Sequence, residues 1–147
     1  MFICDISVLN RFGKQFLDES LQPIGVDWRE LVTLMVIEQI PGIAQTRLIP
    51  FLQTDKANVT KHLQNMEDKG LISRKTNQND RRNKSCHLTN KGLCLLPRLH
   101  EAMSNWEDNC LLGLTSDERI LYDSLNQKII LNLIQVSTKQ ERGGKDE

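Results

Sequence analysis

Apolar residues recur at helical spacing along most of this chain, and short polar or Gly/Pro segments divide the pattern into separate elements. Spacings of three and four residues predict an amphipathic helix over residues 1–22 that ends before Pro23. Asp27 and Glu30 have the spacing of a capping box, which predicts a second helix that stops at Pro41. The first of these helices carries an apolar face that needs a partner.

The middle of the chain follows the order helix, helix, strand, turn, strand. Thr46 is suited to cap a short helix over residues 47–52, and a second helix is predicted over about 55–69. Strands are predicted over 71–75 and 84–88, with a polar turn between them. This order predicts a winged helix-turn-helix with a two-stranded β wing.

Two further helices follow the wing. Thr89 is placed to cap a long helix that runs to about residue 112 and is interrupted by Pro97, and a capping box from Thr115 opens the last helix. Residues 139–147 have too few apolar side chains to pack, and we predict a disordered tail there.

The predicted fold class is therefore mainly α (α+β). We expect a single domain over residues 1–138, in which residues 27–89 form a DNA-binding core with a wing at about 71–88. The helices at 1–25 and 90–138 are expected to bury their apolar faces in a dimer.

Charge is distributed unevenly along the chain. Residues 56–91 hold nine Lys and Arg against three Asp and Glu, a local charge of +6, although the whole chain has 19 of each sign. A basic surface of this kind is expected for phosphate binding. No segment reaches the roughly eighteen apolar residues of a membrane span, so we expect a cytoplasmic protein without a membrane partner.

The side chains opposite the apolar stripe of the 55–69 helix are the ones able to reach base edges in a major groove. We predict DNA contacts there from Asp55, Lys56, Asn58, Thr60, Lys61 and Gln64. Asn58, Thr60 and Lys61 are the leading candidates, because Asn pairs with adenine, Thr contacts a thymine methyl or a phosphate, and Lys donates to guanine or the backbone.

The entry to the helix-turn-helix and the wing supply the second predicted set of DNA contacts. These are Gln45, Thr46, Arg74, Lys75, Asp80, Arg81, Arg82 and Lys84. An arginine at the wing tip is suited to the minor groove, and Asp80 is suited to orient that arginine or to close the turn.

Motifs for other chemistry are missing from the sequence. There is no G-x-S-x-G, no glycine-rich phosphate loop, and no Cys/His spacing typical of a metal site. We therefore predict no enzyme activity, no cofactor and no metal.

The spaced combination of these elements resembles the MarR family of bacterial transcriptional regulators. The matching positions are Val59-Thr60, Met66-Glu67, Gly70-Leu71-Ile72, Asp80 with Arg82, and Leu88-Thr89 with Gly92. The resemblance implies a homodimeric regulator, most often a repressor, that binds double-stranded palindromic DNA and is released by a small aromatic or anionic effector. Possible walls of an effector pocket are Trp28, Trp106 and His100.

Two alternatives stay open at this point. One is a thiol-based redox regulator that uses Cys4, although Tyr122 is the only tyrosine, whereas the family's peroxide sensors place tyrosines near the reactive cysteine. The other is a winged-helix module that binds protein instead of DNA, for which the basic wing would have no purpose.

Overall fold

The computed structural model describes residues 2–52, 54–76 and 83–143. Helices and strands cover most of these residues, with the bounds Phe2–Leu21 (α1), Trp28–Gln39 (α2), Ile43–Ala44 (β1), Ile49–Leu52 (α3), Lys56–Asp68 (α4), Ile72–Thr76 (β2), Lys84–Leu88 (β3), Asn90–Cys110 (α5) and Ser116–Gly143 (α6). This helical fold with a small antiparallel sheet confirms the predicted fold class. None of the helices in the described part of the chain is long and apolar enough to cross a membrane.

The chain separates into two compact units, Met1–Glu107 and Asp108–Glu147. The first unit holds the helix-turn-helix, the sheet, α1 and most of α5. Its core is formed by buried apolar side chains from all of these elements, among them Leu34, Ile37, Leu48, Leu63, Met66, Ile72 and Leu99.

Local capping signals set the start of α2, as the sequence predicts. The Asp27 carboxylate accepts from the Glu30 N–H at 2.8 Å, and the Glu30 carboxylate accepts from the Asp27 N–H at 3.1 Å. Glu30 is buried, and its second oxygen lies 2.6 Å from Lys69 Nζ just after α4. One capping box therefore also ties the end of α4 to the start of α2.

The two predicted strands of the wing pair with each other, and a third strand that the sequence analysis did not predict, β1, extends the sheet. The strand order is β1-β3-β2, and both pairings are antiparallel. Cys86 at the centre of β3 lies opposite Ile43 on one side and Arg74 on the other. A two-residue strand such as β1 has no recognisable alternation, because its strand geometry comes from pairing with β3 and not from local propensity.

The first helix of the helix-turn-helix also differs from the prediction. Residues Gln45–Leu48 form a 3₁₀ turn that leads directly into the short α3, and the residue before this turn is Ala44, which makes no side-chain cap. Thr46 is therefore not a helix cap. The change of helix type falls next to Pro50, whose missing N–H and bulky ring disfavour a continuous α-helix.

The start of α5 is joined tightly to the strand side of the core. Thr89 Oγ1 donates to Gly70 O at 2.6 Å, and it accepts from the Gly92 N–H at 3.1 Å. A Cβ on Gly92 would lie only 2.3 Å from Leu71 O. Only glycine allows this helix turn to approach the backbone so closely.

In the second unit, α6 begins at a Thr115–Glu118 capping box. The Thr115 N–H donates to Glu118 Oε2 at 2.7 Å, and the Glu118 N–H donates to Thr115 Oγ1 at 3.3 Å. The helix extends to Gly143, beyond residue 139 where the sequence predicts a disordered tail. Nothing between residues 139 and 142 breaks a helix, whereas two glycines follow.

Candidate nucleic-acid interface

Helix α4, the recognition helix, separates its apolar and polar side chains as the sequence predicts. It buries Val59, Leu63 and Met66 against the core. The opposite side exposes the predicted contact residues Asp55, Lys56, Asn58, Thr60, Lys61 and Gln64. A helix with one polar, exposed face has the dimensions to enter a major groove.

Hydrogen bonds at the N-terminus of α4 fix the orientation of the Asn58 side chain. Asp55 caps the helix by accepting from the Asn58 N–H at 2.8 Å, and its other carboxylate oxygen accepts from Asn58 Nδ2 at 3.1 Å. The cap leaves the Asn58 carbonyl and one N–H to bind a base edge. Asp55 thus fixes both the backbone and the side chain of Asn58.

Thr60 is held from two sides. Its hydroxyl donates to Lys56 O at 3.0 Å and accepts from Gln45 Nε2 at 2.9 Å. Gln45 comes from the 3₁₀ turn before α3, so this contact joins the two helices of the helix-turn-helix. The Thr60 hydroxyl proton is already used within the protein, and its methyl group remains for an apolar contact.

Arg74 on β2 is placed differently from the sequence prediction of an outward DNA contact. Only 3% of its side-chain surface is exposed. Glu67 accepts from the Arg74 backbone N–H at 3.0 Å, from Nε at 3.1 Å and from Nη2 at 2.8 Å. The hydrogen bond from the Arg74 side chain is the largest cause that lowers the pKa of Glu67 below its usual range.

The other end of the Arg74 guanidinium reaches the recognition face. Nη1 donates to Gln45 Oε1 at 3.4 Å, and Nη2 donates to Gln64 Oε1. Gln64 in turn donates to Asp68 Oδ1 at 2.9 Å. We call Arg74, Glu67, Gln64 and Gln45, with Thr60, the Arg74 network. Sequence reasoning missed Glu67 as a partner, because the pairing joins a helix to a strand and has no local sequence signal.

The strands of the wing present two exposed lysines, Lys75 and Lys84. They lie on neighbouring strands, since Lys75 is opposite Ser85 and Lys84 is opposite Thr76. Thr46 also lies near the base of the wing, where its hydroxyl donates to Asn83 Oδ1 at 3.4 Å. The predicted wing-tip residues Asp80, Arg81 and Arg82 lie outside the described residues.

The three residues proposed as walls of an effector pocket have separate partners. Trp106 Nε1 donates to Gly13 O at 2.9 Å, and Lys14 Nζ lies 4.0 Å above the Trp28 ring. His100 Nε2 lies 3.0 Å from the Glu38 carboxylate. These contacts do not join the three side chains into one site.

A cavity of about 730 Å³ lies beside α1 and the start of α2. Four acidic residues line it together with one basic residue: Asp18, Glu19, Asp27 and Glu30, and Lys69. Such a lining disfavours an anionic ligand within one subunit.

The cysteines fall into two groups. Cys86 in β3 is buried, and burial raises the pKa of its thiol to about 11. Cys4, Cys94 and Cys110 are exposed. A buried thiol with a raised pKa is a poor nucleophile at neutral pH, so redox chemistry at Cys86 is disfavoured in the folded chain.

Comparison with known proteins supports the same fold. The sequence model of the MarR family matches residues 26–84, which span the recognition helix and most of the wing. A MarR transcriptional regulator from Methanosarcina mazei Go1 is 27% identical in sequence, and the two structures superpose with a TM-score of 0.82. The match covers 92% of this chain and 98% of that one.

Two further solved structures contain DNA. A putative MarR family transcriptional regulator from Listeria monocytogenes, complexed with 26mer DNA, is 24% identical, with a TM-score of 0.85 and coverage of 99% of this chain and 97% of that one. A cysteine-to-serine mutant of MarR from E. coli, complexed with operator DNA, is 25% identical, with a TM-score of 0.74 and coverage of 84% and 89%. At 24% identity, the similarity to the Listeria monocytogenes structure is evidence for the fold alone.

Proposed function

We propose that this chain is a winged-helix transcriptional regulator of the MarR family, and that it acts as a dimeric repressor that binds a palindromic operator in double-stranded DNA. The observation that carries the proposal is the exposed polar face of α4 beside the exposed lysines of the wing. Helix and wing together offer one element for a major groove and one for the flanking backbone.

The recognition helix and the wing are proposed to contact different parts of the DNA. Asn58, Thr60 and Lys61 stand at the exposed front of the recognition helix and would read bases. Lys75 and Lys84 would contact phosphates, whose binding carries little sequence information. Arg82 remains the predicted residue for the minor groove.

Exposed apolar side chains on the outer helices support a homodimer. On α1, Ile3 and Leu9 are 74% and 67% exposed, and on α6, Ile120 is 68% exposed. Rows of such residues are unfavourable on a monomer surface and are typical of an interface. In a palindromic complex each subunit would place one recognition helix on one half-site.

We also propose that a small aromatic or anionic effector releases the protein from DNA. Trp28 is half-buried, and the cation of Lys14 lies over its ring, which together suit an aromatic acid better than the acidic cavity does. An effector weakens DNA binding only through its higher affinity for the conformation that does not bind, so a tenfold effect requires about 1.4 kcal/mol of coupling.

The exposed Cys4 keeps a thiol-based switch as the second candidate for regulation. Release of DNA should be compared under peroxide and under a panel of aromatic acids, in the parent and in Cys4→Ser. We expect the acids to act equally on both proteins. If peroxide releases the parent but not Cys4→Ser, and no acid has an effect, the redox mechanism replaces the effector mechanism.

The proposal of DNA binding is tested by selection from a pool of random duplexes, followed by affinity measurements on the selected sequence. Lys61→Ala should weaken binding to the selected duplex by about tenfold or more, since a specific side-chain contact to a base is worth about 1–3 kcal/mol. Lys128→Ala is the matched control, because it removes the same charge from α6, outside the helix-turn-helix and wing. A parent that binds no duplex would favour the protein-interaction module.

A further inference from the structure

The Arg74 network joins three elements at the recognition face. One guanidinium on β2 contacts Glu67 and Gln64 on α4 and Gln45 before α3. Because only 3% of the Arg74 side-chain surface is exposed, the guanidinium itself is almost inaccessible to DNA. Its effect on DNA must therefore pass through the exposed side chains that it holds.

The Arg74 network occupies some of the hydrogen-bonding groups of its glutamines and leaves other groups available to bind a base. Arg74 occupies one lone pair of the side-chain carbonyl of Gln45 and of Gln64, and each of these amides also donates one N–H, to Thr60 and to Asp68 respectively. The positive guanidinium beside both carbonyls weakens them as acceptors for a base. Each amide keeps one N–H to donate.

The bases differ in what they offer to such a surface. Guanine presents two acceptors in the major groove, and thymine presents one acceptor and a methyl group. Adenine presents one acceptor and one donor, and the donor needs the glutamine carbonyl as its partner. The Thr60 hydroxyl has already donated its proton to Lys56 O, so only its methyl and one lone pair remain for a base.

We propose that Arg74 is a positioning residue for base recognition, which sets Gln45 and Gln64 to act as donors and Thr60 to act through its methyl, and thereby favours guanine or thymine over adenine beneath them. This inference rests on the proposed function of DNA binding. It assigns sequence discrimination to a residue that touches no base.

The geometry requires arginine. Three nitrogens of one planar group point to Glu67, Gln64 and Gln45. A lysine has the same charge but a single ammonium, which cannot span these partners. Arg74→Lys therefore removes the positioning and keeps the charge.

The test determines the base preference of parent and variants by selection from random duplexes. We expect Arg74→Lys to reduce the preference for guanine or thymine over adenine by about tenfold at one or more positions. Its affinity for random DNA and the salt dependence of that affinity should stay as in the parent. Lys75→Ala, the exposed neighbour on the same strand, should do the reverse, with lower affinity for every duplex, a flatter salt dependence and an unchanged preference.

A second variant protects the test against a fold defect in Arg74→Lys. Gln64→Glu keeps an acceptor for Arg74 but has no N–H, so its preferred base should change towards cytosine, which offers a donor. In Arg74→Lys, a further Gln64→Ala should have little added effect on preference, because the two residues act as one unit.

The outcomes separate this inference from the function on which it rests. A parent without any base preference would overturn DNA reading as a whole. A parent preference that persists in Arg74→Lys and in Gln64→Glu would overturn only the role of Arg74. Equal loss of affinity for all duplexes in Arg74→Lys would show a merely structural role and overturn it as well.

Discussion

Replacement of Gly92 by alanine should destabilise the protein, although alanine is the better helix former. The new Cβ would lie 2.3 Å from Leu71 O and 3.3 Å from Leu71 C, so α5 and the backbone before β2 must move apart by up to about 1 Å. This movement also stretches the hydrogen bonds that Thr89 makes to Gly70 O, at 2.6 Å, and to Leu71 O, at 3.1 Å.

The magnitude follows from three contributions. Overpacking costs about 1–3 kcal/mol, and weakening one or two hydrogen bonds adds about 1 kcal/mol each. The higher helix propensity of alanine relative to glycine raises the free energy of unfolding by about 1 kcal/mol. The free energy of unfolding should therefore fall by about 1–4 kcal/mol.

Urea unfolding, followed by circular dichroism at one fixed protein concentration, measures this loss. Gly13→Ala is the matched control, since it makes the same change within a helix, and its Cβ would meet Trp106 at 3.4 Å, an ordinary contact. The control should stay within about 1 kcal/mol of the parent, because propensity favours alanine. An unfolding free energy of Gly92→Ala within about 0.5 kcal/mol of the parent would refute the packing argument.

Burial lowers the pKa of His62 in the folded protein. Its contribution to the free energy of unfolding should be fully present above the unfolded-state pKa of about 6.5 and should decrease as the pH falls below it, because the unfolded chain takes up the proton first. In urea unfolding curves measured over a pH series, His62→Gln should reduce this dependence on pH. Cys86 should resist alkylation at neutral pH until the protein is unfolded, whereas the exposed Cys94 should react in the folded state, as mass spectrometry of the labelled peptides can measure. Sedimentation at micromolar concentration should give one species near twice the chain mass of 16.9 kDa, and a stable monomer would contradict the proposed dimer.

Much of the fold could be predicted because its signals are local. The caps at Asp27, Asp55 and Thr115 each depend on a side chain and a backbone N–H three residues away, and all three helices begin where the sequence indicates. The apolar stripe of the recognition helix is equally local. Such patterns need no knowledge of distant parts of the chain.

The differences arise where distant residues decide the outcome. Strand β1 exists through its pairing with β3, more than forty residues later in the sequence. The sequence places Arg74 in the set of wing contacts to DNA, but Glu67 and two glutamines on other elements hold its side chain inside the protein. Local charge predicts the sign of a surface, and only tertiary contacts decide which cations belong to it.

The central claim is that the recognition helix reads base sequence while the wing supplies affinity. It is tested most directly by measuring, over a range of salt concentrations, the affinity of the parent and of Asn58→Ala for the selected duplex and for random DNA. We expect the parent to prefer its selected duplex, with log affinity falling linearly against log salt. Asn58→Ala should lose about 1–3 kcal/mol of binding free energy on that duplex only. Equal losses on both duplexes, or a parent that makes no distinction between them, would contradict it.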